Sequence, residues 1–529
     1  MRIELDKKKL PDDIDILKDY SIGLGTELNE SNKKILFLEE QINLLNQKIF
    51  GRKSEKSDKV DLTLNLFSQT ETDKLKEKET EEKTIIVKEH NRKNGGRKGI
   101  DPKLPVDEVI SHDLSSDEKK CNCCGKERVL IGYDSTKQAD ITPAKRRIIE
   151  HRLMKYGSCG CKESLVKEEP EIKYAKMPAR IIPGSMLTEG ALAYIMTNKF
   201  CDGIPFYRLV KTLGRSGIYL TRQMMSDNAI SIRKACGELL SLMLNLIQSG
   251  ISINMDETTI KVVTEENKST NGKCYMWVMA GRTKEFKKLV YFHYDPSRSG
   301  NIPNELLNGF QGCLQTDALK SYNAIGNNNG IIHVGCNAHA RRGFDEAFKA
   351  GKSLKNPKIA LAFYRRIYKI EKELREYLNN KKIDEKIFEL ERKKQTMPFF
   401  DKFKKWMLKI QFEVLPQSLT GKAINYTLNE WDKLIRYLDV WHLTPDNNIA
   451  ENAIRPFVIG RKNWLFAYSP EGARANACFY SLIETAKVNG LNPYYYLRYL
   501  FIKLPLAKSK IDLLKLLPIN LNNDDIMKE

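Results

Sequence analysis

A chain of 529 residues exceeds what one hydrophobic core usually organises, so several domains are expected. Lys and Arg outnumber Asp and Glu by 88 to 68, a net charge of +20, which suits a polyanionic partner, although a merely basic soluble protein satisfies the same balance. The charged start Met1–Lys9 carries no signal-like apolar region, and no apolar run is long enough for a membrane span, since Tyr494–Ala507 is broken by Arg498 and Lys503. The chain therefore reads as soluble and cytoplasmic, with no membrane partner.

From the N-terminus, Leu28, Ile35, Ile42 and Ile49 recur every seven residues, with Leu38 and Leu45 between them. Ile at most a positions with Leu at d suits a parallel two-stranded coil, and so a homo-oligomer joined through residues 1–50. An amphipathic helix packed on its own protein is the alternative. Residues 51–105 are rich in Lys, Glu, Asp and Thr, too polar to build a core. They include the basic run His90–Gly99, in which Arg92, Lys93, Arg97 and Lys98 could lie along a DNA groove. A solvated linker fits that composition equally well.

The eleven cysteines are an odd number. In the segment 106–170, Cys121 and Cys124 have zinc-knuckle spacing, and Gly125 lets both thiolates face one ion. Cys159 and Cys161 supply a second pair, enough for a structural Zn²⁺ site, although the pairs are widely separated. Four reduced thiols without metal are the alternative. Cys201, Cys236, Cys274, Cys313, Cys336 and Cys478 stand singly and read as small core residues.

Residues 171–248 read as helices. Phe206–Leu213, a glycine turn and a helix capped by Thr221 fit a helix-turn-helix, with Arg222 and Gln223 at the start of the reading helix. From Ser252 the pattern turns to strands. On the first, Asn254, Asp256, Thr258 and Ile260 share one face, and Ile253, Met255, Glu257 and Thr259 the other, so only one of the adjacent acids can serve a given site. A carboxylate in mid-strand is costly to bury unless it binds something. Three strands, a helix and further strands follow the order of a ribonuclease-H-like sheet, in which the first and fourth strands are neighbours. Asp317, at the end of the fourth, would then approach Asp256. Residues 346–440 read as an all-helical insertion. Beyond it, Asp446–Asn448 can cap a helix carrying Glu451 in its first turn, with Asp446 as a competing ligand. Arg461, Lys462 and Trp464 interleave cations with an aromatic, as a gripped DNA end requires. A buried strand with Trp464 in the core is the alternative. Three converging carboxylates would hold two divalent metals for phosphodiester chemistry.

Several segments together resemble the insertion sequence 66 family of transposases. They are Asp446–Pro456, Gly460–Phe466, Ser481–Lys487, Ala338–Arg342, the Asp256–Glu257–Thr258 segment, Ile49–Lys56 and the Cys121–Cys124 knuckle. The resemblance implies a multidomain α+β protein with an N-terminal coiled-coil helix, a zinc-finger-like segment, a helix-turn-helix region and a ribonuclease-H-like α/β catalytic core. The core would comprise 249–345 and 441–475, with the insertion at 346–440 and a helical region at 476–529. It implies a catalytic triad of Asp256, Asp317 and Glu451 binding two Mg²⁺, with Mn²⁺ as a substitute. His339 is a secondary candidate, either contacting the scissile phosphate or merely packing beside Arg341 and Arg342. The partners implied are double-stranded DNA, both element ends and target, together with accessory proteins of the same element. The setting would be bacterial cytoplasm, at the nucleoid when bound to DNA. The second cysteine pair is closer than the family usually shows. The rival readings are a nuclease of the same fold without strand transfer and an inactive or regulatory DNA-binding derivative.

Overall fold

The computed structural model describes residues 14–50, 147–156, 173–174, 177–266, 272–317, 322, 330–350 and 355–527. The basic run with Arg92, Lys93, Arg97 and Lys98, and the four cysteines 121, 124, 159 and 161, lie outside the described residues. The chain divides into two compact units, residues 65–174 and the rest. In the smaller unit, β1 (Lys155–Tyr156) pairs antiparallel with β2 (Lys173–Tyr174).

The larger unit begins with α1 (Ile14–Phe50), and its heptad positions Leu28, Ile35, Leu38, Ile42 and Leu45 are all exposed. Among the described residues this face is uncovered, while α1 also approaches the helix Asn337–Ala350. Next come α2 (Glu189–Phe200), α3 (Phe206–Gly214), α4 (Arg222–Ala235) and α5 (Gly237–Gln248). Thr188 and Thr221 accept the Ala191 and Met224 N–H groups, relieving first-turn donors that have no helical partner. Gly217 takes the left-handed turn between α3 and α4, at φ 82°.

The sheet contains β3 (Ser252–Lys261), β4 (Lys273–Arg282), β5 (Lys288–Asp295), β6 (Gly312–Gln315) and β7 (Ile331–Val334), with α6 (Asn301–Leu306) between β5 and β6. Its order is β5-β4-β3-β6-β7, antiparallel through β5-β4-β3 and parallel through β3-β6-β7. The fourth strand expected to reach Asp317 ends at Gln315. Asp317 therefore sits two positions past the end of the strand.

After β7 come α7 (Asn337–Ala350) and the helices expected of the insertion: α8 (Lys355–Asn379), α9 (Glu385–Ile410), α10 (Leu419–Asn429) and α11 (Trp431–Ile435). The fully buried Arg392 ties this region to the approach to Glu451, donating to the carbonyls of Tyr437, Leu438 and Leu443. A guanidinium without water needs such acceptors, and Glu371 beside it supplies the opposite charge.

The chain continues through α12 (Asn448–Trp464), α13 (Pro470–Val488), α14 (Pro493–Lys503), α15 (Lys510–Lys515) and α16 (Asn523–Met527). Helix α13 covers the sheet at β5. Ser481 Oγ and Thr485 Oγ1 accept the N–H groups of Phe292 and Val290 at 2.8 and 3.0 Å. An edge strand with open donors invites pairing with another chain, and these hydroxyls close it. Of the single cysteines, Cys236, Cys274, Cys313, Cys336 and Cys478 are buried, while Cys201 is half-buried. Among the described residues no helix is long and apolar enough to cross a membrane.

Candidate functional site

Alternation along β3 puts Asp256 and Glu257 on opposite faces. Glu257 is held by Arg298, 2.5 Å from Nη2, and by the Tyr322 hydroxyl at 2.9 Å. Its charge is thus matched by a cation, and its role on that face is structural. Among the described residues Asp256 has no such cation, and its Oδ1 accepts the Glu257 N–H at 2.9 Å. Burial, then the charges of Glu257, Asp317 and Glu451, push its carboxyl up to about 7, against that one backbone hydrogen bond.

The structure therefore brings Asp317 and Glu451 each within electrostatic reach of Asp256. The reason lies two residues earlier on each strand. In the parallel register of β3 and β6, Asn254 stands opposite Gln315. Asn254 Nδ2 donates to Gln315 Oε1 at 3.0 Å and to Asn447 Oδ1 at 2.9 Å, and Asn447 Nδ2 donates to the Met255 carbonyl at 2.8 Å. All three amides are buried. Asn254 and Gln315 each precede an acid by two positions, and Asn447 precedes Glu451 by one helical turn. The amide cluster thus joins two strands and a helix start at the point where the carboxylates must meet.

Helix α12 starts at Asn448, and Glu451 lies in its first turn as expected. Asp446 Oδ1 accepts the Asn448 N–H at 3.3 Å. Burial pushes Asp446 upward, and beyond Glu451 its carboxylate faces Glu371 and Tyr368 of the insertion. The carboxylates that raise Asp256 most are instead Glu257, Asp317 and Glu451.

His339 stands in the first turn of α7, with Nδ1 3.8 Å from Glu451 Oε1. Cys336 immediately precedes that helix, and its buried sulfur accepts the Asn447 N–H at 3.2 Å. Burial pushes the Cys336 thiol up to about 11. Neither Cys336 nor the three amides stood out in the sequence reading as part of a site. The available signal was the shared two-residue offset of Asn254 and Gln315 from Asp256 and Asp317.

The other expected site residues lie apart from this cluster. Arg461 donates to the hydroxyls of Thr258 and Thr259 at 3.0 and 3.3 Å, toward the far end of β3. Lys462 is exposed. Trp464 is a correction: it is buried, packed edge-on against Phe457, and its indole is not available to stack on a DNA base. It also lies at the end of a helix, where the alternative reading expected a strand. The apolar side of α12 turns it inward, and the exposed residues after it are Leu465, Phe466 and Tyr468. Arg222 and Gln223 are exposed in the first turn of α4, with Gln223 donating to Asp227 at 2.8 Å.

Oxygen donors of like charge, one of them held partly protonated by its neighbours, fit a hard divalent cation, whose charge would relieve the repulsion.

The chain matches the family described as Transposase IS66 family over residues 184–475. It also matches the zinc-finger binding domain of transposase IS66 over 118–162, which encloses the four cysteines, and the IS66 C-terminal element over 481–519. A further match, to Transposase C of IS166 homeodomain, covers 37–109. Among full-length relatives, the protein y4qI of Sinorhizobium fredii is 28% identical over 556 aligned positions, covering 98% of each chain. The protein y4jD of the same organism is 26% identical, covering 95% of this chain and 98% of its own.

Proposed function

Because the chain belongs to the IS66 family of transposases, we propose that it cleaves DNA at the ends of its insertion sequence and joins the freed ends to target DNA. The observation that supports this reading is the Asp256 carboxyl, pushed up to about 7 by burial and by the charges of Glu257, Asp317 and Glu451. The surrounding sheet supports a ribonuclease-H-like core: its first strand is central, antiparallel to the second and parallel to the fourth.

Asp256, Asp317 and Glu451 would hold two Mg²⁺, or Mn²⁺ in their place. Bound there, the ions supply an activated water and a stabilised leaving oxygen. The carboxylates fix that chemistry in space, and the Asn254–Gln315–Asn447 cluster keeps them in register. Glu257, neutralised by Arg298 on the opposite face, stays out of the reaction. His339, beside Glu451, is placed to contact a scissile phosphate. No side-chain nucleophile is required, because water and then the freed 3′-hydroxyl attack.

DNA is gripped away from the acids. Arg222 and Gln223, exposed at the start of α4, suit major-groove reading, and Arg461 and Lys462 suit phosphate contact. The match over 118–162 supports a structural Zn²⁺, which Cys121, Cys124, Cys159 and Cys161 would hold. The exposed heptad face of α1 pairs with a second copy, since so many apolar side chains in one row are stable in water only when covered. Accessory proteins of the element are further partners.

The test uses labelled end DNA, a target plasmid and Mg²⁺. Asp256→Ala or Asp317→Ala should abolish cleavage while end binding persists. Mg²⁺-dependent cleavage by either purified variant overturns the assignment. Cleavage by the unaltered protein without joining would leave a nuclease, and binding without cleavage a regulatory derivative.

A further inference from the structure

Beside the Asp256–Asp317 pair stands a second group of donors, in which Cys336 Sγ accepts the Asn447 N–H while an atom of each of the other two is unpaired among the described residues. Cys336 Sγ, a His339 ring nitrogen and a Glu451 carboxylate oxygen all lie within 4.8 Å of one another. His339 Nδ1 and Glu451 Oε1 are 3.8 Å apart, too far for a hydrogen bond. Both atoms are nevertheless buried with no hydrogen-bond partner. Leaving two such atoms unpaired is unfavourable, and a cation between them would satisfy both at once.

We propose that Cys336, His339 and Glu451 form a transition-metal site of the zinc type, which shares Glu451 with the Asp256–Asp317 pair. A thiol, an imidazole and a carboxylate make a donor set suited to Zn²⁺ rather than Mg²⁺, which takes oxygen ligands. Tetrahedral zinc, with bonds of about 2.0–2.3 Å, sets its donors roughly 3.3–3.6 Å apart, so a small inward closure completes the geometry. Cys336 and His339 flank the start of α7, where one helical turn brings both to the same side. Three protein ligands leave the fourth position open to water. The half-exposed side chains of His339 and Glu451 give an ion its way in. An ion held there engages Glu451 and competes with Mg²⁺ for the third carboxylate. This last consequence rests on the proposed function, whereas the metal site does not.

The probe is Co²⁺, titrated into the full-length chain and followed by its visible ligand-field bands and thiolate-to-cobalt charge transfer. The N-terminal cysteines contribute equally in every sample, so the reading is a difference between variants. Unaltered protein should bind one more equivalent than Cys336→Ala, His339→Ala or Glu451→Gln, whereas Asp256→Asn should keep it. Equal stoichiometry in unaltered protein and Cys336→Ala, with both proteins folded by circular dichroism, overturns the site even if the protein cleaves DNA. Cobalt loading does not need cleavage, so the site survives a failure of the transposase reading. In the cleavage assay, each protein is compared with its own zinc-free rate. The Zn²⁺ concentration that halves the rate should rise about ten-fold or more in Cys336→Ala. An unchanged value overturns the competition.

Discussion

Replacing Asp256 with Asn separates the electrostatics of the carboxylate cluster from its chemistry. The amide keeps the shape of the side chain and can still accept the Glu257 N–H, but it cannot carry charge. In the metal-free protein the folded carboxyl titrates at about 7 against an ordinary 3.8. The sign follows from that direction. Below about pH 4 the group is protonated both folded and unfolded, and no penalty exists. Between about 4 and 7 the folded state keeps a proton that the unfolded chain has lost, so stability falls as pH rises through this window. Above about 7 the full penalty is present. At 1.36 kcal/mol per unit the shift corresponds to at most about 4 kcal/mol, and partial solvation reduces this to roughly 1–3 kcal/mol. Asp256→Asn should therefore melt roughly 1–4 °C above unaltered protein at about pH 8 in chelator, and at nearly the same temperature at about pH 4. Added Mg²⁺ should stabilise unaltered protein and leave the variant almost unmoved, while DNA cleavage is lost. Melting curves across pH, with and without Mg²⁺, read all three effects. A variant no more stable at about pH 8, or a gain independent of pH, refutes the reasoning.

Other residues give sharper local outcomes. Asn447→Ala removes the amide that joins Asn254 to the Met255 carbonyl and should lower stability by about 1–3 kcal/mol. Its cleavage rate should fall at least about ten-fold at unchanged end affinity, because Glu451 is misplaced rather than removed; equal rates would show that the amides do not position the acid. Gly460→Ala ordinarily favours a helix, but its Cβ would stand 2.3 Å from the Tyr480 hydroxyl. The clash should win by roughly 1–3 kcal/mol in a denaturant titration. Lys199 is buried among Phe206, Trp464 and Phe200, 4.5, 5.1 and 5.3 Å from their ring centres. Burial pushes it down to about 7 from 10.5. The unfolded chain binds the proton more tightly, so stability rises with pH between those values. Lys199→Met should be more stable by about 1–3 kcal/mol below about pH 7, a gain that fades toward pH 10 in melting experiments.

Much of the candidate site was legible in the chain because its signals are local. Alternation along Ser252–Lys261 separates Asp256 from Glu257 before any coordinates exist, since the side-chain period of a strand is two. Thr221 as a cap, Glu451 in the first turn of α12 and the single cysteines as mostly buried residues follow from chemistry within a few positions. The exposed row on α1 is likewise written in its seven-residue repeat.

What local patterns could not supply was which distant segments touch, and how deep each side chain ends. Trp464 beside Arg461 and Lys462 reads equally well as a DNA grip or as core, and the packing of α12 against the sheet decided for core. Cys336 looked like one more small apolar residue until the fold set it beside His339 and Glu451. Beyond the shared offset of Asn254 and Gln315 from an acid, the chain gives no sign that Asn447 joins them, yet the parallel pairing of β3 with β6 and the start of α12 make the three a single buried cluster. A sequence encodes such pairings only through the summed contacts of segments far apart along the chain. The residue types at the site were therefore determined locally, and their meeting point was decided by tertiary structure alone.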